Sequence, residues 1–375
     1  MKAESIIFAL FIMPTYLIIH LLICYIQVIS TRDYFYGVYI KNIKIDEQEK
    51  KRIHKAYKKR IQFVFFIIII FTIIAKLLSL NWILILNLAM LIYLIVSYGY
   101  LRKYYLEVKQ IKINYLKTHQ ELEAIMRVEN KDVMVDSVFL NEQLKLKNKF
   151  KRLFSICIGL SLLSLLYQII MYDTLPDTVI THWGINGEPD GFSPKNIKNV
   201  FMINMVDIPM VLLFAVTTVE IVGTKIYLDT SKIDVNRKKA LAYLNGLGYS
   251  FLILTLGVQL VTTTIPFFMS NQLSIPIGLT ITGIISPLLC LVPIIYNFIK
   301  LSAVKSKNPQ VNLQSSSEDH WRYGFIYYNK QDPSFMVEKR FGAGWTMNMA
   351  HKKSVLFYGL LIIPLILIII LTFSY

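Results

Sequence analysis

His182 stands among four carboxylates, Asp173, Asp177, Glu188 and Asp190, in the connection 172–198, and a second polar set, Asn204 and Asp207, follows inside an apolar stretch. A histidine among carboxylates could hold a divalent metal or move protons. Zinc takes three or four close protein ligands, with histidine and cysteine favoured, and a single histidine falls short of that set. General acid–base work by His182 and Asp190 is chemically conceivable. No nucleophile elbow, HExxH or paired-carboxylate motif supports it. No catalytic residue, metal or cofactor is therefore assigned, and the chain is not read as an enzyme.

Two readings of the connection stay open. Three prolines and three glycines in 172–198 imply a defined series of turns. In the structural reading, His182 and Lys195 tie those turns together by hydrogen bonds and an ion pair with Asp190. In the recognition reading, His182, Trp183, Glu188, Asp190 and Lys195 present an ordered, acidic, aromatic-containing surface to an external ligand, a cationic peptide. Loops carried on a rigid scaffold are where binding residues concentrate.

Asn204 and Asp207 lie three residues apart, followed by Pro209. An ionisable residue at membrane depth is a functional candidate by default, and Lys76 enters at a similar depth as its candidate partner. The bland alternative is a structural hydrogen bond or a neutral, protonated acid. His20, Gln168 and Gln259 read as interhelical hydrogen-bonding residues. Cys24, Cys157 and Cys290 each fall within an apolar block, without CxxC spacing, and read as small buried hydrophobes.

The elements that must position these residues are membrane spans. Hydrophobic residues make up 55% of the 375 positions, and they come in blocks of about twenty, the length that crosses a hydrocarbon core. Eight such blocks fall near 5–29, 61–80, 82–101, 153–171, 199–223, 242–269, 274–299 and 354–374. The first is too long for a signal-peptide core, and no small-residue cleavage site follows it, so it reads as a retained span. The net charge of +16 would suggest nucleic acid in a soluble chain, but here the cations sit between the apolar blocks. The connections 30–60, 102–152, 224–241 and 300–353 hold 36 of the 40 Lys and Arg residues. The alternate connections are nearly free of them, so the basic set faces the cytoplasm and both termini face outward. The expectation is an all-α polytopic bundle of about eight spans in the cell membrane, with a small cytoplasmic β-hairpin near the C-terminus. Its basic loops meet anionic lipid, and no nucleic-acid partner is expected.

The organisation reads as six segments. Residues 1–101 form a three-span region with a basic loop. There Tyr34–Val38 suits the headgroup level, and Asp46 with Glu49 resembles a capping box ahead of a basic helix from Lys50 to Arg60. Residues 102–152 form a basic helical insert in which 131–140 alternates weakly, as a strand would. Residues 153–223 are two spans joined by 172–198, and 224–300 hold spans six and seven. Residues 301–353 form a polar linker and an aromatic hairpin, in which the run 321–328 pairs with 335–340 around Asp332-Pro333 on the inner membrane surface. Residues 354–375 are the last span.

The pattern Leu175-Pro176, His182 followed by Trp183, Gly187, Asp190 and then Lys195 resembles a bacterial membrane domain of unknown function. That domain occurs in the SdpI family, immunity proteins against a sporulation-delaying killing peptide. Val179-Ile180 followed by threonine stands where that family often has Ile-Pro. The C-terminal run Tyr327-Tyr328-Asn329, Asp332-Pro333, Lys339-Arg340 and Gly344-Trp345-Thr346-Met347-Asn348 resembles a second domain of unknown function that accompanies the first. The resemblance implies toxin immunity, or sensing of an external peptide. The alternatives are an ion-coupled transporter or permease centred on Asp207, and a scaffold that holds a cytoplasmic regulator at the membrane.

Overall fold

The computed structural model describes residues 13–30, 34–40, 43–78, 82–119, 136–184, 186–224, 226, 228, 232–303, 320–339 and 345–360. Helices dominate because lipid offers no partner for a free peptide group, and a helix satisfies its own. In chain order they are α1 (Met13–Cys24), α2 (Glu47–Leu77), α3 (Trp82–Thr118), α4 (Ser137–Met171), α5 (Ile197–Val222), α6 (Ile233–Thr262), α7 (Ile265–Ser270) and α8 (Ile277–Ala303). Six of the described helical stretches are long and apolar enough to cross a membrane. Their outward faces are apolar, as with Phe63, Phe66 and Ile70 on α2 and Ile156, Leu163 and Ile170 on α4. A soluble monomer does not expose patches of this kind. The chain is a multi-pass membrane protein. Of the eight expected spans, the last lies largely outside the described residues, and of the first only 13–29 are described, with a helix Met13–Cys24, so six is the number the described residues support.

The chain divides into two compact units. The first contains α1, α2 and α3, with the hairpin β1 (Tyr34–Phe35) and β2 (Val38–Tyr39), and the hairpin β5 (Trp321–Arg322) and β6 (Ile326–Tyr327). Its core is a nest of tyrosines: Tyr36, Tyr57, Tyr93 and Tyr104 are all buried. Tyr36 and Gly37 both take positive φ, as do Tyr323 and Gly324, so each hairpin turns through a Tyr-Gly pair. These turns meet back to back, and a Cβ on Gly37 would stand 3.0 Å from Gly324 Cα. Gln27 clasps the first hairpin, donating to the Tyr34 carbonyl and accepting from the Tyr36 N–H.

Several expectations are corrected here. The stretch Tyr34–Val38 folds back through a tight turn, and Phe35, Tyr36 and Val38 are core residues of this unit. Asp46 precedes α2 but its side chain accepts no capping hydrogen bond, and Glu49 is held by Arg52. The C-terminal strands pair within each short run. β5 joins β6, and β7 (Met336–Glu338) joins β8 (Trp345–Met347), instead of 321–328 joining 335–340. A turn at Tyr323-Gly324 closes the first pair locally, which costs less loop entropy than the longer connection. Asn348, fully buried, ties the intervening chain by donating to the Asn329 and Asp332 carbonyls and accepting from the Asn329 N–H.

The second unit holds α4 to α8 and the hairpin β3 (Thr178–Trp183) and β4 (Pro189–Pro194). Residues 137–140 are not a strand. Asp136 accepts from the Phe139 N–H at 3.0 Å and starts α4 there, and the N-cap overrides the weak alternation. The rest of that stretch lies outside the described residues. α4 then continues unbroken through residue 152 to Met171. α4 and α6 approach closely, since a Cβ on Gly248 would stand 2.1 Å from the Phe150 ring. Small residues permit such contacts between membrane helices. The expected span 242–269 falls within one apolar helical stretch, Ile233–Ser270, whose helix is interrupted after Thr262, where α7 begins anew with Pro266 in its first turn.

Candidate functional site

The connection 172–198, expected as a series of turns, is a hairpin with two register shifts. Val179 pairs with Ser193, Ile180 with Phe192, His182 with Gly191 and Trp183 with Pro189. Val179 packs in a cluster with Leu175, Val200 and Met269, Ile180 is also buried, and His182, between the two shifts, faces out. Gly191 is required opposite His182, because a Cβ there would lie 2.7 Å from His182 Cβ.

The hairpin is fastened to the segment between α7 and α8. Trp183 Nε1 donates to the Leu273 carbonyl at 3.0 Å. Ser274 Oγ donates to Glu188 Oε2 at 2.7 Å. The Ile275 N–H donates to the Gly187 carbonyl at 2.8 Å. Gly187 has φ +84°, and any Cβ would fall 1.9 Å from the Ile275 carbonyl oxygen. Each bond is worth about 1 kcal/mol. Together they hold the turn at one height above the helix ends.

Each candidate residue of the connection now has a place. Trp183 and Glu188 serve the attachment. Lys195 does not pair with Asp190. Its Nζ donates to the carbonyls of Asp173 and Leu175 and lies 5.0 Å from the Tyr172 ring centroid, at the root of the hairpin. His182 Nδ1 and Asp190 Oδ1 are 2.5 Å apart, with side chains 71% and 53% exposed. The contact becomes an ion pair only when the imidazole is protonated. The hairpin thus spends its lysine on its own backbone and leaves His182 and Asp190 facing out.

Beneath it lies a cavity of about 390 Å³, bordered by Trp183 and Gly184 of the hairpin, Asn199 and Met202 of α5, and Val258 and Thr262 of α6. Thr262 links this space to the buried acid, since its hydroxyl donates to Asp207 Oδ1 at 2.5 Å. Ser161 donates to Asp207 Oδ2 at 2.5 Å, and Gln259 Nε2 donates to Ser161 Oγ at 2.8 Å. Asp207 and Asn204 are both almost fully buried. Within the second unit, the hydroxyls of Ser161 and Thr262 hold the Asp207 carboxylate; Lys76 belongs to the first unit. A lone carboxylate at the centre of a span costs about 3 kcal/mol on insertion scales, a burden two hydroxyl donors reduce.

Sequence reasoning passed over Ser161, Thr262, Gly191 and Ser274. For the first two a signal was present: Ser161, Ser164 and Gln168 recur along one face of α4, as do Thr255, Gln259 and Thr262 along α6. Ser274 carries no signal of its own because its partner Glu188 is 86 residues away, and the need for Gly191 appears only once the register sets it opposite His182. Among the described residues, no group of three His, Cys, Asp or Glu side chains is placed to hold a metal.

Fold and site together define a multi-pass helical membrane protein whose second unit is a helix bundle roofed by a β-hairpin. Residues 159–206, from the middle of α4 through the hairpin into α5, match the model of a domain of unknown function (DUF1648). Residues 330–355, around the Asn348 junction, match a family of unknown function (DUF5808). No curated protein and no solved structure matches the chain.

Proposed function

We propose that the protein is a membrane receptor that takes an external cationic peptide at the β3–β4 hairpin and the cavity beneath it, either to sense the peptide or to neutralise it. One observation carries this reading: the hairpin is locked to the 273–275 segment in a fixed shape while His182 and Asp190 stay exposed above an open cavity. A pre-shaped site loses less conformational entropy on binding. The connection 172–198 carries four carboxylates against two lysines, a negative balance that favours a cationic ligand. The distribution of Lys and Arg in the sequence supports an external position for this face. The resemblance of 172–198 to the SdpI family points the same way.

The Asp207 network below the cavity favours a second reading, an ion-coupled permease. One experiment separates the two. A deletion strain is challenged with membrane-active peptides after complementation with wild type, His182→Ala/Asp190→Ala or Asp207→Asn, at equal membrane levels. The receptor reading expects wild type and Asp207→Asn to protect and the hairpin variant to fail. Protection that survives loss of both hairpin side chains sinks it. Protection lost only in Asp207→Asn moves the function to the buried acid.

A further inference from the structure

Three helices bring oxygen atoms to one buried place in the second unit. α5 supplies Asp207, with Asn204 one turn earlier on the same buried face. α4 supplies Ser161 and α6 supplies Thr262, both donating to Asp207, and α6 also supplies Gln259, which donates to Ser161. Two of these groups carry unused acceptors. Asn204 Oδ1 and Gln259 Oε1 are buried without any hydrogen-bond partner, and both side chains are only 2% exposed. Buried polar atoms in native proteins are nearly always satisfied, and an orphan marks a missing water, ion or ligand. Here the orphans are both acceptors, and the one charged group beside them is an anion. A cation can satisfy all of them at once and also balance the charge of the carboxylate, which a neutral donor does not.

We propose that this cluster is a binding site for a sodium ion, with Asp207 as its charged ligand and the oxygens of Ser161, Thr262, Asn204 and Gln259 as neutral ones. Hard cations take oxygen ligands of these types. One carboxylate neutralises one positive charge, so a monovalent ion leaves the site without net charge, while a divalent ion would leave it positive at membrane depth. The Thr262 hydroxyl can turn its proton from Asp207, because Oγ1 already has the Val258 carbonyl at 3.4 Å as a second acceptor. Entry is through the cavity, whose wall includes Thr262. The site stands whether or not a peptide binds above it.

The test uses purified full-length protein in detergent, without peptide. Thermal unfolding is followed as NaCl, KCl or choline chloride is titrated at constant ionic strength, and binding of radioactive sodium is measured directly. The expected result is a saturating rise in Tm with sodium that potassium and choline do not reproduce, with saturable sodium retention. Asp207→Asn should abolish both, and Ser161→Ala should raise the half-saturating sodium concentration about tenfold, the loss of one such contact. Equal responses to the three salts in wild type overturn the proposal without any variant. So does a response to pH alone, which would make Asp207 a proton site. Sodium retention that persists in a folded Asp207→Asn protein places the ion elsewhere and also overturns it.

Discussion

Two hairpins of similar origin meet opposite fates in this protein. Tyr34–Tyr39 and Thr178–Pro194 each connect membrane helices, and each turns on a glycine with positive φ, Gly37 and Gly187. The first is swallowed whole: its turn packs against Gly324, and Tyr36 is 1% exposed. Its hydroxyl hydrogen-bonds His54 Nδ1 at 3.1 Å. The second is fastened at one edge and keeps its other face free. A hairpin used as core is defined by apolar packing, while a hairpin used for presentation is defined by a few directed bonds. The difference predicts where substitutions destabilise the protein and where they change only binding.

The largest effect is expected at Gly187. Gly187→Ala forces a Cβ into the Ile275 carbonyl at a φ that L-residues disfavour, a change worth about 3 kcal/mol or more. Limited proteolysis should then cut within 184–188 while the helices persist, and ligand protection should fall. An intact, protease-resistant hairpin in this variant breaks the idea of directed attachment.

Gly37→Ala comes next, at about 2 kcal/mol, because Gly324 stands 3.0 Å from the added Cβ. Its signature differs: a lower Tm, with peptide protection per folded molecule unchanged. Protection lost at full folding would show that the buried hairpin also serves the ligand.

Trp183→Phe removes the bond to the Leu273 carbonyl while keeping the apolar ring, and should lower stability by about 1 kcal/mol in thermal unfolding. His182→Ala, on an exposed side chain, should shift stability by less than about 0.5 kcal/mol and yet abolish protection. A His182 effect on Tm larger than that of Trp183 would reverse the roles assigned to the two residues.

The smallest effect concerns pH. Partial burial pushes the Asp136 carboxyl up, but the Phe139 N–H and the Arg237 guanidinium outweigh it and hold the group below the usual carboxylate range. A depressed folded-state pKa contributes stability above the unfolded value, near about 4, which is lost as pH falls through the folded value. Wild type should therefore lose stability relative to Asp136→Asn as the medium is acidified from about pH 5 to 3. Parallel curves would remove Asp136 from the account of how α4 begins.

Much of the scaffold was legible in the residues themselves. Blocks such as 61–80 and 199–223 announce helices because lipid imposes a length and forbids unpaired peptide groups. The glycines and prolines of 172–198 announced an ordered connection. The pairing within it was less readable, since two register shifts, between Ile180 and His182 and between His182 and Trp183, break the strict alternation beyond Ile180. Lys195 illustrates a different gap. Its charge suggested Asp190, five residues away, but two carbonyls at the hairpin root compete for the same Nζ and lie closer in space.

The sequence by itself determined that this chain spans a membrane several times, that its cations gather in alternate connections, and that His182, Asp190 and Asp207 are its chemically notable groups. Those properties follow from composition and local spacing, which every stretch of chain carries with it. Tertiary structure alone decided that Ser161 and Thr262 hold Asp207, that Ser274 and Ile275 fasten the hairpin, and that the two Tyr-Gly turns share one core. The bonds to Asp207 join residues 46 and 55 positions apart, and the Ser274–Glu188 bond joins residues 86 apart. Such pairings exist only once helices have packed, because no local rule of spacing links residues so far apart in the chain.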